Sequence, residues 1–202
     1  MKEAFLLKDV IMEKVIIVVL AVLSSCFFGS VMDFSEKDIK DKKNEVFNTS
    51  FEIGDYDLHK LPDGWYLLED TSKYILWDNE TSKTGSKCLK IENPKDKINI
   101  ISDSFPIDAD HVYYSRLFMK TNYNSNQSIT IRFLAFDEKG KRVSKFSEHG
   151  LPRQDWTQID ITSGFLKSTA RFGRIIISIP RKSDKIYWLD DIESYAVYRI
   201  QK

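Results

Sequence analysis

The chain has 202 residues with 30 Lys+Arg against 30 Asp+Glu, so its formal charge is zero and no broad basic field exists to hold DNA or RNA. Its 42% hydrophobic and 13% aromatic residues, with only 8 Gly and 5 Pro, exclude a disordered chain and supply one packed core. Two cysteines, Cys26 and Cys88, allow at most one bridge and exclude a disulfide-stapled scaffold.

The first element is an uncharged run, VIIVVLAVL at residues 15–23, preceded by Lys14 and followed by Ser24-Ser25-Cys26. It is shorter than the roughly 20 residues a helix needs to cross a bilayer, and suits the central region of a signal peptide. Leu23-Ser24-Ser25-Cys26 resembles a bacterial lipobox. That resemblance implies removal of residues 1–25 and a lipid on Cys26, placing the mature protein at a bacterial cell envelope. Met12 offers a second start that would make the leader compact. Next comes SEKDIKDKKNE, residues 35–45, with Ile39 as its one apolar residue. Such a composition buries too little surface to offset its ordering entropy, and predicts that residues 26–45 form a flexible tether.

From residue 46 to 202 the apolar residues alternate instead of recurring every three or four positions. Residues 98–102, 112–120, 129–136, 157–161, 175–179 and 187–192 are short runs rich in Ile, Val, Phe and Tyr. Between them stand turn signals such as Pro62-Asp63-Gly64, the Lys83 to Ser86 stretch and the Asp137 to Gly140 stretch. The prediction is one all-β domain, an antiparallel β-sandwich or barrel. Cys88, within GSKCLKI, reads as a buried, inert thiol. Trp65, directly after the Pro-Asp-Gly turn, reads as a core residue that sets how the first long loop enters the sandwich.

The segments NTSFE, LPDGW, GSKCLKI, SDSFPID, FDEKGK, DWTQIDI and YWLDDIESY, with the strand from Tyr113 to Lys120, stand in the order seen in carbohydrate-binding modules of families 4, 9, 16 and 22. This resemblance covers nearly all of the domain and implies a jelly-roll sandwich. It also implies a structural calcium between the start and end of the domain. Carboxylates would come from Glu52 and Asp190, and main-chain carbonyls from near Ser50 and from the Gly85-Ser86-Lys87 turn. Calcium takes six to eight oxygens in flexible geometry, so distant parts of a chain can share one ion. Asp191 is the alternative ligand, since strand alternation sends it and Asp190 to opposite sides.

A sugar site needs flat aromatic or apolar faces beside planar polar groups. Alternation turns Tyr113, Ser115, Leu117 and Met119 one way and Arg116 and Phe118 the other. The same logic leaves Arg132 and Phe136, and then Arg174, on an outward face. Together these five residues suit a polar ligand with apolar faces, such as an acidic glycan, with Trp77 and Tyr74 as aromatic contacts from a loop. Trp156 and Trp188 read as core.

No catalytic motif accompanies them. His59, His111 and His149 lie in polar, turn-like surroundings, and Asp190-Asp191, as neighbours on a strand, would face apart and not flank one glycosidic bond. The sequence therefore points to a monomeric, lipid-anchored, non-enzymatic protein that binds glycan. The alternative is a surface or periplasmic protein-interaction or structural lipoprotein with no sugar ligand.

Overall fold

The computed structural model describes residues 34–55, 61–124, 126–181 and 183–200. The expected signal peptide, Cys26 and His59 lie outside them. In chain order the strands are β1 (Trp65–Leu67), β2 (Ile75–Asp78), β3 (Cys88–Glu92), β4 (Ile98–Ser102), β5 (Phe105–Pro106), β6 (His111–Thr121), β7 (Ile129–Phe136), β8 (Arg142–Gly150), β9 (Thr157–Thr162), β10 (Phe172–Ile179) and β11 (Ile186–Arg199). Helical backbone among the described residues is confined to α1 (Glu36–Ile39) and a 3-10 turn at Ser72–Tyr74.

The strands form two antiparallel sheets. The first runs β1, β4, β10, β7, β8, with β5 also paired to β10; the second runs β2, β3, β11, β6, β9. Their inward faces carry the expected alternating sets: Leu117 and Met119 from β6, Ile131 and Phe133 from β7, Ile175 and Ile177 from β10, all in one buried cluster. Phe133 of the first sheet stacks on Tyr113 of the second, ring centroids 5.4 Å apart, so the two layers interlock through an aromatic pair. The sandwich predicted from alternation is the observed architecture. β8 escaped the sequence reading because it pairs with β7 alone and keeps a polar, mostly exposed sequence.

The start and end of the domain meet. Ile192 N–H donates to Thr49 O at 2.9 Å, and Asn44 and Glu45 bond to Ser194. Trp65 explains its place after the turn: its N–H closes the turn onto Pro62 O, with Gly64 in left-handed conformation at φ 82°. The Trp65 ring, 3% exposed, meets Phe51 edge-on at 5.2 Å and donates from Nε1 to Asn48 O.

The tether expectation fails for residues 34–45. Ser35 caps α1 through Asp38, and Ile39, 5% exposed, packs with Phe34 against Tyr114 and Tyr195 on the outer face of the second sheet. Arg116 binds Glu36 of this strap and donates from Nε to Glu193 at 2.5 Å. Ile39 and Phe34 suffice because the sheet supplies the rest of the pocket, and burying Ile39 stabilises by about 1.5–3 kcal/mol.

Candidate functional site

The outer face of the first sheet combines apolar and polar groups in register. One cross-strand row reads Tyr66, Ile101, Ile176, Arg132 and Ser147. On one side lies the row Asn99, Ser178, Thr130 and His149; on the other, Arg174, Leu134 and Lys145. Ile101, Leu134 and Ile176 point away from the core yet are nearly covered, and with Phe136 they make a small apolar floor.

Polar side chains fix one another over this floor. Arg132 Nη1 donates to Ser178 Oγ at 2.5 Å, Ser178 Oγ donates to Asn99 Oδ1 at 2.5 Å, and Asn99 Nδ2 donates to both Glu69 oxygens at 2.9 and 3.0 Å. This chain of bonds holds the Arg132 guanidinium in one place with no ion pair among the described residues, which leaves it donors to spare. Thr130 Oγ1 and His149 Nδ1 are bonded at 3.0 Å alongside. Tyr66 is 49% exposed, and its hydroxyl is bonded to Asp103, which pushes the phenol pKa up. Arg174 and Phe136 line a cleft of 370 Å³ with Ile101, Ser104, Gly140 and Phe172. A larger cleft of 630 Å³ adjoins at the β1 edge, where Tyr66 and Asp103 sit with Phe47, Trp65, Leu67 and Ser72.

Arg132, Phe136 and Arg174 therefore share a face, as alternation implied. Arg116 and Phe118 do not join them. They point outward from β6, which belongs to the other sheet, where Arg116 is 9% exposed and committed to Glu36 and Glu193. Strand parity is legible from sequence, but which sheet a strand joins is not, and two outward faces were merged into one. Trp77 is a core residue, 8% exposed, with Nε1 donating to Phe51 O at 2.7 Å. Its parity with buried Ile75 in β2 carried that signal. Tyr74 bonds Asp96 from the end of the Ser72–Tyr74 turn and packs at the core margin. Tyr66, Glu69, Asn99 and Ser178 were not anticipated. Asn99 stood out as a polar residue inside the apolar run Ile98 to Ile101, which was the available clue.

The carboxylates assigned to calcium converge on the loop from Thr81 to Lys87. Glu52 accepts from Ser86 N, Ser86 Oγ and Lys87 N at 2.8–2.9 Å. Asp190, fully buried, accepts from Lys83 N, Thr84 N and Asp191 N. Asp191 takes Lys83 Nζ at 3.2 Å and Thr84 Oγ1. Asp190 and Asp191 thus contact the same two loop residues and do not face apart: Asp191 is left-handed at φ 47°, and the β6 register slips between Asp190 and Glu193. The turn presents N–H groups of Ser86 and Lys87 to Glu52, where carbonyls were expected, and Ser50 lies beside Thr49, whose carbonyl is taken by Ile192.

No group of three or more His, Cys, Asp or Glu side chains among the described residues is placed to hold a metal. Two features nevertheless fit a cation. Glu52 and Asp190 meet at one loop, and Asp190 has no cationic side chain paired to it among the described residues; burial, with Asp191 adding to it, pushes its carboxyl up to about 7. The neighbouring Cys88 donates to Thr81 O, and burial pushes its thiol up, as an inert cysteine requires.

No family model matches the chain, and no curated protein matches it. Solved structures do resemble it. A family 61 carbohydrate-binding module, solved with β-1,4-galactotriose, superposes with a TM-score of 0.53 at 12% identity, over 76% of this chain and 99% of that one. A family 16 carbohydrate-binding module gives 0.55 at 14% identity, over 75% and 99%. The family 22 xylan-binding domain of a Paenibacillus barcinonensis protein gives 0.53 at 14%, over 77% and 96%. The fold is that of jelly-roll carbohydrate-binding modules.

Proposed function

We propose that this protein binds carbohydrate, without catalysis, on the outer face of the first sheet. The observation that carries the reading is the Tyr66, Ile101, Ile176, Arg132 row: an exposed ring and an apolar floor beside a guanidinium held by a hydrogen bond to Ser178, with no carboxylate on it among the described residues. Apolar C–H faces of a pyranose lie on such a floor, while Arg132, Arg174 and the Glu69–Asn99 pair meet its hydroxyls. The likeness in fold to modules solved with or named for sugar ligands supports the same reading. A lipid on Cys26 would keep this binding at a bacterial cell envelope. Glu52 and Asp190 would hold a calcium that offsets the buried Asp190 charge and ties the loop from Thr81 to Lys87 to the last strand.

A glycan array probed with the full chain in non-ionic detergent tests the proposal. Binding of one glycan class is expected, reduced about tenfold or more by Arg132→Ala or Arg174→Ala. No glycan bound, alongside capture of a protein partner, would overturn it.

A further inference from the structure

The outer face of the second sheet carries a row of its own. Reading across β2, β3, β11 and β6, the cross-strand partners are Leu76, Lys90, Trp188 and Lys120, and Trp156 follows just before β9. Trp156 and Trp188, expected in the core, are only half-buried. Lys120 Nζ lies 5.1 Å from the Trp188 ring centre and 5.7 Å from that of Trp156, bridging the two indoles. Among the described residues the ion pairs of this face join other groups: Lys90 to Glu92, Lys83 to Asp191, and Arg116 to Glu36 and Glu193. Lys120 pairs with no carboxylate among the described residues. Asp78 accepts from Trp188 Nε1 and fixes that ring.

The strap from Phe34 to Asn44 packs on the opposite end of the same face, at Tyr114, Arg116 and Tyr195. Its Glu36 there supplies a carboxylate to Arg116. The Lys120 end has the same pattern of cation beside aromatic ring, and among the described residues no strap residue covers it. Trp188 and Trp156 flank β6, so they stand about two strand spacings, roughly 10 Å, apart, the span of about two pyranose rings.

We infer that the Trp188, Lys120, Trp156 row is a second ligand site, for a short acidic sugar chain whose carboxylate lands on Lys120 while its rings lie against the indoles. Charge complementarity selects the occupant: a neutral sugar would leave the one unpaired ammonium of the row without a partner. The contact is local, so it needs no basic field across the protein.

The test is titration of the full chain, in non-ionic detergent, with oligogalacturonate, neutral β-1,4-galacto-oligosaccharide and vesicles containing anionic lipid. In an Arg132→Ala background, which weakens the face proposed above about tenfold or more, oligogalacturonate still binds. Adding Lys120→Met weakens it about tenfold, the value of one charge-assisted contact, and Lys120→Arg restores it. Raising salt weakens binding in the unaltered chain, a readout that needs no variant. The inference falls if Arg132→Ala alone abolishes oligogalacturonate binding, in which case the first face stands. It also falls if Lys120→Met is without effect, if salt is without effect, or if only the vesicles bind. If Lys120-dependent binding survives while no glycan responds to Arg132→Ala, this site stands and the first face falls.

Discussion

Asp190 makes stability depend on pH in a direction opposite to most carboxylates. Its native pKa, about 7, lies above the ordinary 3.8, so folding favours the protonated form. The stability it contributes is full below pH 4 and is lost as pH rises through 7. Between pH 5 and 7 the loss is about 1.4 kcal/mol per pH unit, on the order of 3 kcal/mol in all. Glu52, Asp38, Asp108 and Asp184 have lowered pKa values, and their contributions vanish only as pH falls below the ordinary carboxylate range, outside this window. Urea unfolding with a chelator present, for the unaltered chain and for Asp190→Asn, isolates the effect. The difference between them should shrink or reverse from pH 5 to 7. Saturating calcium should flatten the slope by stabilising the charged form. A chelated protein whose stability relative to Asp190→Asn is flat or rises across that window would mean that Asp190 is not held protonated by burial.

Other expectations follow from single contacts. Glu52→Ala removes three hydrogen bonds to the loop from Thr81 to Lys87 and should cost about 2 kcal/mol in urea unfolding, with faster amide exchange at Ser86 and Lys87. Ile39→Ala should free the strap, raising proteolytic cleavage at residues 34–45 while lowering global stability by no more than about 3 kcal/mol. Cys88 should resist iodoacetamide at pH 8 in the native state and react fully in urea, as its buried thiol requires.

What the sequence made legible was parity. The sets from β6, β7 and β10 fell on the sides that alternation assigned, because one buried face leaves little freedom of register. Sheet membership was hidden: Arg116 and Arg132 look alike along the chain, and only pairing of β6 with β11 and of β7 with β10 separates them. Local breaks of alternation were hidden too. The left-handed Asp191 turns two adjacent carboxylates toward one loop, and nothing in Asp-Asp announces it. Ile39 was discounted because its partners, Tyr114 and Tyr195, lie far along the chain.

The central claim is that sugar lies on the outer face of β1, β4, β10, β7 and β8. Amide chemical-shift mapping during titration with the glycan that binds best on the array tests it most directly. The largest changes should fall at Tyr66, Asn99, Ile101, Arg132, Arg174 and Ile176. Changes confined to the second sheet, or spread over neither face, would contradict it.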